Sequence, residues 1–209
     1  MTTDKQLAKS LMDIKAVLLR PNEPFTWASG WRSPIYCDNR RILSHPELRS
    51  NVAAWLSELA SSLYPEAELA AGVATGAIAH GALAADRMGL PFVYVRPKPK
   101  DHGTGSQIEG ELKPGAKVVV IEDLISTGMS SLAAVKALRE AGAEVLGMVA
   151  IFTYGFDIAA QRFAEENVPL HTVSNYKSLV EVAAETGYIS DSDVDILQEW
   201  RLNPSQWGK

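Results

Sequence analysis

The N-terminal third of the chain carries two amphipathic patterns separated by a segment of different composition. Apolar side chains recur every three or four positions over residues 4–20 and again over residues 46–63, which predicts two helices. Residues 25–43, between them, are rich in aromatic residues, glycine and proline, and they predict short strands and loops. The spacing of apolar residues changes after this region.

From residue 69 onward, short apolar segments alternate with helical patterns. The predicted strands are residues 69–73, 91–95, 117–121, 145–152 and 170–173. The predicted helices are residues 76–88, 130–141, 158–166, 176–186 and 191–201. Residues 118–121 are consecutive aliphatic residues, which is typical of a strand covered on both faces. The alternation predicts an α/β fold in which helices flank a central, mostly parallel sheet.

Such a sheet indicates where chemistry should be sought. Ligands of parallel α/β sheets bind beyond the carboxyl ends of the strands. The segments that follow Val73, Val95, Ile121 and Phe152 are therefore the first candidates for a binding site. Acidic and hydroxyl-bearing residues concentrate after Ile121, and basic residues concentrate after Val95.

Composition and charge exclude several classes of protein. The chain has 209 residues with 46% hydrophobic and 22% charged residues, which suits a single soluble domain over residues 1–209. The net charge of -5 argues against a protein that coats nucleic acid. The longest apolar stretch, residues 69–85, is interrupted by polar residues and glycines, so we expect no membrane span. The lone Cys37 can form no internal disulfide, and we expect a cytoplasmic protein.

Glu122 and Asp123 directly follow the aliphatic strand, and a hydroxyl-rich turn over residues 126–130 leads into the next helix. A turn before a helix offers free backbone N–H groups to an anion, and Gly128 permits close approach of a ligand. The carboxylates can accept hydrogen bonds from sugar hydroxyls or stabilise positive charge on a sugar ring. The segment therefore favours a ribose phosphate. The alternative is a helix N-terminus whose serine and threonine side chains only cap it.

Residues 118–130 closely resemble the signature by which type I phosphoribosyltransferases bind phosphoribosyl pyrophosphate (PRPP). The resemblance implies that Glu122 and Asp123 contact the ribose hydroxyls and act in catalysis. It also implies that the turn from Ser126 to Ser130 holds the 5′-phosphate. The PRPP-binding residues implied after the acid pair are Leu124, Ile125, Ser126, Thr127, Gly128, Met129 and Ser130.

A basic loop follows Val95. Arg96, Lys98, Lys100 and His102 alternate along a segment stiffened by prolines and followed by glycines. A solvated surface loop is the alternative interpretation, but the segment resembles the catalytic loop of orotate phosphoribosyltransferases. That resemblance implies that Arg96, Lys100 and His102 bind PRPP, with Lys100 catalytic. It also implies a homodimer in which the loop of one subunit serves the active site of the other.

Residues 25–40 are similar to the segment that forms a hood over the base in the orotate branch, which places a small hood mainly in residues 1–45. The resemblance implies that Tyr36, Cys37, Ser126 and Tyr154 lie beside orotate. Arg40 is a candidate partner for the edge of the base, whereas ordinary core packing is the alternative for the aromatic residues. The chain departs from many members of this branch, with Ala28 replacing a lysine and Tyr154 an arginine.

Taken together, the resemblances imply transfer of phosphoribosyl from PRPP to orotate, giving orotidine 5′-monophosphate and pyrophosphate in pyrimidine synthesis. They also imply Mg²⁺ held mainly through PRPP. The histidines at 45, 80, 102 and 171 have no metal-ligand spacing. We expect PRPP and orotate as partners, and neither nucleic acid nor membrane. Two alternatives remain: a phosphoribosyltransferase for a purine base, and a regulator that binds PRPP or a nucleotide without catalysis. The basic loop favours catalysis.

Overall fold

The structure is a computed structural model that describes residues 1–27, 29–98 and 106–208. Short elements precede the main sheet. They are α1 (Thr3–Asp13), β1 (Val17–Leu19), β2 (Phe25–Thr26), β3 (Arg32–Ser33), β4 (Ile35–Cys37) and a 3-10 helix (Asn39–Ser44). β1 pairs antiparallel with β4, and β2 pairs antiparallel with β3.

The predicted helix over residues 4–20 is wrong in its second half. The helix ends at Asp13, and Lys15 adopts a left-handed backbone with φ of 57°, which breaks helical geometry. Residues 17–19 then pair with β4, so Val17 and Leu19 face the core from a strand and not from a helix. The spacing of apolar residues alone does not distinguish a helix from a strand over residues 17–19.

The remaining helices and strands alternate along the chain. They are α2 (Pro46–Leu63), β5 (Leu69–Val73), α3 (Ala77–Met88), β6 (Phe92–Val95), β7 (Ile108–Glu109), β8 (Lys117–Ile125), α4 (Met129–Glu140), β9 (Glu144–Thr153), α5 (Asp157–Glu165), β10 (Leu170–Asn175), α6 (Tyr176–Glu185) and α7 (Asp191–Leu202). The central sheet has the strand order β10-β9-β8-β5-β6-β7. Its pairings are parallel except for β7, which runs antiparallel to β6, so the predicted mostly parallel α/β fold is confirmed.

The strand before the acid pair is longer than predicted. β8 continues to Ile125 because Glu122, Leu124 and Ile125 extend the pairing with β9. Pairing of β8 with β5 stops earlier, at Ile121. The acid pair therefore lies within the strand, on a part that has a strand neighbour on one side only.

The sheet separates two hydrophobic clusters, and alternate residues of β8 contribute to each. Val119 and Ile121 belong to a cluster with residues of α1, α2, α3, α6 and α7. Val118 and Val120 belong to a second cluster with residues of α4 and α5. Full burial of such an aliphatic side chain stabilises the fold by about 1.5–3 kcal/mol, which explains the unbroken aliphatic run. No helix in the described part of the chain is both long and apolar enough to span a bilayer.

Candidate active site

Asp123 lies at the carboxyl edge of the sheet, directly above the loop that links β5 to α3. A Cβ built on Gly76 of that loop would overlap the Asp123 carboxylate, so the glycine makes room for the acid. The backbone carbonyl of Asp123 accepts a hydrogen bond of 2.6 Å from Nδ2 of Asn39. The Asp123 side chain remains half-buried and open on one side. It is the member of the acid pair that can meet a ligand from the strand end.

Glu122 points into the protein and is only 4% exposed. Its Oε2 accepts a hydrogen bond of 2.8 Å from the Ser131 hydroxyl, and its Oε1 accepts one of 3.0 Å from the Asp123 backbone N–H. Burial, and then the nearby charge of Asp123, raise the pKa of Glu122 well above its usual range. One hydrogen bond of Glu122 thus fixes the backbone of Asp123, and the other ties Glu122 to Ser131. The prediction that Glu122 contacts a ribose hydroxyl stays a prediction.

The turn after β8 has the geometry of an anion-binding site. Gly128 caps α4 with φ of 78°, and no side chain caps that helix. The N–H groups of the first turn are therefore free for an anion, and the alternative of a serine- or threonine-capped helix does not hold. Arg162 donates a hydrogen bond of 2.9 Å from Nη1 to the Thr127 carbonyl. This bond turns the carbonyl towards α5 and brings a guanidinium group to the turn.

A cavity of about 270 Å³ opens beside this turn. The four residues predicted to lie beside the base all line it. Among the described residues, the lining consists of Thr26, Trp27, Tyr36, Cys37, Leu124, Ser126 and Tyr154. Ser126 belongs both to this cavity and to the turn that leads to α4, so a ligand in the cavity would lie next to an anion held by the turn.

Aromatic residues form the deep wall of the cavity. The Tyr154 ring is 3% exposed and lies 5.1 Å from the Trp27 ring, 5.5 Å from the Phe156 ring and 5.8 Å from the Trp200 ring, measured between centroids. Trp200, on α7, also donates a hydrogen bond of 3.2 Å from Nε1 to the Arg32 carbonyl. α7 therefore supports β3 through this bond and contacts Trp27, which follows β2, through its ring.

Among the described side chains that line the cavity, the donors without a hydrogen-bond partner are hydroxyl groups. Trp27 Nε1 donates to the Ile35 carbonyl at 3.1 Å, and the Cys37 thiol donates to Oδ1 of Asn39 at 3.4 Å. Burial raises the pKa of the Cys37 thiol, which keeps it a neutral donor. Burial likewise raises the pKa of Tyr154, whose hydroxyl has no hydrogen-bond partner in the described part of the chain. A planar ligand that presents oxygen acceptors suits this lining.

Two of the basic residues predicted for the site, Arg40 and Arg96, are described, and they lie in different places relative to the cavity. Arg40 is exposed, and its Nε donates to Oδ1 of Asp38 at 2.6 Å; it does not line the cavity. Arg96 directly follows β6 at the same edge of the sheet as Asp123, with Nη1 3.8 Å from Oε1 of Glu109. Lys100 and His102 lie outside the described residues, so their predicted contacts stay predictions.

Sequence reasoning missed residues that build the site from a distance. Asn39, Ser131 and Arg162 hold Asp123, Glu122 and Thr127 respectively. None of the three forms a recognisable local pattern with the residue that it holds. Gly76 stood in a glycine-containing segment after a predicted strand, which was a signal for close approach of backbone and ligand.

Comparisons with known proteins agree with this geometry. The family model described as "Phosphoribosyl transferase domain" matches residues 38–185. An orotate phosphoribosyltransferase of Porphyromonas gingivalis is 56% identical over 207 residues, covering 99% of either chain. The crystal structure of orotate phosphoribosyltransferase from Aeropyrum pernix has a TM-score of 0.76 at 33% identity, covering 88% of this chain and 99% of that one.

A third relative has been solved with PRPP. The orotate phosphoribosyltransferase of Mycobacterium tuberculosis H37Rv in complex with PRPP has a TM-score of 0.67 at 25% identity, covering 85% of this chain and 98% of that one. Similarity in sequence covers 99% of the chain, and similarity in fold covers 88% and 85% of it in the two solved structures. The chain belongs to the orotate phosphoribosyltransferases of the phosphoribosyl transferase domain family.

Proposed function

We propose that the chain transfers the phosphoribosyl group of PRPP to orotate and releases orotidine 5′-monophosphate and pyrophosphate, a step of pyrimidine synthesis. One observation carries the proposal: Ser126 joins the hydroxyl-lined cavity to the anion-binding turn. A base in the cavity and a 5′-phosphate on the turn would therefore meet at a ribose held beside Asp123. The same reaction is implied by the name of relatives more than half identical to this chain.

The chemistry required of the protein is electrostatic. Breaking the bond between C1′ and pyrophosphate builds positive charge on the ribose and negative charge on the leaving group. The Asp123 carboxylate, which faces Gly76 at the carboxyl edge of the sheet, is proposed to stabilise the former. Arg96, Lys100 and His102 are proposed to stabilise the latter. No protein nucleophile is required, since the incoming base attacks C1′ through its own nitrogen.

Mg²⁺ is the proposed cofactor, and the donor set of the site fits it. In residues 1–27, 29–98 and 106–208, no cluster of three or more His, Cys, Asp or Glu side chains could hold a metal ion. Mg²⁺ in phosphate-binding sites is usually held by one or two carboxylates together with phosphate oxygens and waters. Asp123 and the oxygens of PRPP would satisfy this requirement. When bound, the ion supplies charge neutralisation for pyrophosphate.

The function is tested by supplying PRPP and Mg²⁺ with each of orotate, uracil, hypoxanthine and adenine. We expect orotate to be consumed only when PRPP is present. The reaction is monitored by the fall in orotate absorbance and by the release of pyrophosphate. Turnover of a purine base without turnover of orotate would support the purine alternative. Binding of PRPP without turnover of any base would support the non-catalytic regulator.

Replacement of Tyr154 by phenylalanine should raise the KM for orotate about tenfold and change kcat less than about threefold. The reason is the loss of a buried hydroxyl donor to a charged ligand, a bond worth about 1.5–3 kcal/mol. Steady-state kinetics at saturating PRPP measures both constants.

The matched control for this prediction is Tyr176→Phe. Tyr176 is equally buried in the same aromatic group, but its hydroxyl donates to the Leu197 carbonyl at 2.9 Å and does not line the cavity. It should lower stability and leave the KM for orotate unchanged. An unchanged KM in Tyr154→Phe would show that its hydroxyl does not contact the base.

We also propose a homodimer whose active sites are shared, and a cytoplasmic location in keeping with the free Cys37.

Co-expression of Lys100→Ala with Asp123→Asn tests the sharing of sites. In a mixed dimer with shared sites, one site receives both intact residues and the other carries both defects. Roughly a quarter of wild-type activity should return if the chains mix equally. Mixed dimers that regain no activity would show that each loop serves its own subunit.

A further inference from the structure

Asn39 lies at the junction of three elements and is 1% exposed. It is the first residue of the 3-10 helix that follows β4. Its Nδ2 donates a hydrogen bond of 2.6 Å to the Asp123 carbonyl, and its Oδ1 accepts one of 3.4 Å from the Cys37 thiol. Its own carbonyl lies 3.3 Å from Nε2 of His80 on α3. Both polar atoms of the side chain therefore have partners.

The backbone of Asp123 needs such partners because β8 has a paired strand on only one side at this residue. β5 pairs with β8 only as far as Ile121. Beyond it, the Asp123 N–H is bound by Oε1 of Glu122 at 3.0 Å and the Asp123 carbonyl by Nδ2 of Asn39 at 2.6 Å. Side chains thus take the place of a neighbouring strand at the residue that carries the carboxylate. A buried carbonyl left without a donor would destabilise the strand at this residue.

We propose that Asn39 is a positioning residue for Asp123, and that it links the base cavity to the carboxylate that faces the ribose. This inference rests on the catalytic role proposed for Asp123. Cys37 lines the cavity and bonds to the amide oxygen of Asn39, while the amide nitrogen holds Asp123. A single side chain therefore connects the wall that meets the base with the strand that meets the sugar.

His80 completes the arrangement from the other side. It is 1% exposed, and burial lowers the pKa of its imidazole. The neutral tautomer protonated on Nε2 can donate to the Asn39 carbonyl, which fixes the start of the 3-10 helix. Asn39 is thereby held through its backbone while its side chain holds Asp123.

A merely structural role for Asn39 makes a different prediction. Loss of a buried hydrogen bond far from the site lowers the melting temperature and leaves the kcat of the folded enzyme unchanged. Ser174 supplies the matched control, because its buried hydroxyl donates a hydrogen bond of 2.7 Å to the Asp4 carbonyl. Ser174→Ala should therefore lower stability with unchanged kcat.

The experiment is a double-mutant cycle on kcat with Asn39→Ala, Asp123→Asn and the double variant, with folding checked by circular dichroism. We expect Asn39→Ala to lower kcat about 10–100-fold, the effect of a small misplacement of a catalytic group. In the Asp123→Asn background, Asn39→Ala should lower kcat by less than about threefold further, because the carboxylate that Asn39 positions is already lost.

Each other outcome rejects a distinct claim. Wild-type kcat in Asn39→Ala, with a large loss in Asp123→Asn, rejects the positioning role and leaves the proposed function intact. Wild-type kcat in Asp123→Asn rejects the proposed role of Asp123 itself. Multiplied losses in the double variant show that Asn39 acts independently of Asp123. If Asn39→Ala does not fold, the cycle is repeated with the equal-sized Asn39→Asp, and failure of both to fold makes Asn39 purely structural.

Discussion

Asparagine in place of Asp123 should lower kcat about 10²–10³-fold, the range found when one electrostatic contact to a developing charge is removed. The substitution keeps the size of the side chain and removes only its negative charge. Because the Asp123 backbone is held by Asn39 and Glu122, and not through its own carboxylate, we expect the fold to be retained. Initial rates with saturating PRPP, Mg²⁺ and orotate measure the loss.

The control for this prediction is Asp86→Asn, which removes an exposed carboxylate from α3 with no described side-chain partner. It should retain the wild-type rate. Melting temperatures of the two variants should both lie close to that of the parent. A normal kcat/KM in Asp123→Asn would mean that the acid is not beside the reacting ribose.

Alanine in place of Gly76 should lower kcat about 10²-fold although no charged group is removed. The backbone of Gly76 is in the right-handed helical region, with φ of -61° and ψ of -38°, so alanine is compatible with it. Its Cβ would overlap the Asp123 carboxylate, which must then move or push the loop away. A displacement of about 1 Å at a catalytic group is sufficient for a loss of this size.

Gly81→Ala separates this effect from general crowding. Gly81 lies on α3, which begins directly after Gly76, and its Cβ would come within 2.7 Å of the Phe92 ring instead of a carboxylate. We expect Gly81→Ala to lower the melting temperature and leave kcat close to wild type. If Gly76→Ala is as active as Gly81→Ala, the contact between loop and carboxylate has no part in catalysis.

The sequence predicted best those elements in which the spacing of apolar residues agrees with the residues that begin or end the element. The helix over residues 46–63 and the strand over residues 69–73 have the predicted ends, because Pro46 begins the helix and buried aliphatic residues define the strand. The first helix was overextended because residues 17–19 satisfy a helical spacing and a strand pairing equally well. β8 was cut short because Glu122 and Asp123 are polar, although backbone pairing with β9 continues through them.

The residues of the site also differ in whether the sequence could predict them. Tyr36, Cys37, Ser126 and Tyr154 could be grouped from a resemblance, and the structure brings all four to one cavity. Asn39 could not be found in this manner, since the residue that it holds is 84 positions away and their contact leaves no local pattern. Hydrogen bonds between distant positions depend on the folded geometry, which spacing in the sequence does not encode.

The contact of Trp200 with the Arg32 carbonyl has a consequence for how the protein is made. It joins residues 168 positions apart, and Trp200 also packs on Tyr154 and Trp27 in the cavity wall. Contacts of such long range are slow to form, because the entropy cost of closing a long loop must be met first. During synthesis the sheet and the turn after β8 can therefore form before α7 leaves the ribosome. The aromatic wall of the cavity is complete only when α7 has docked.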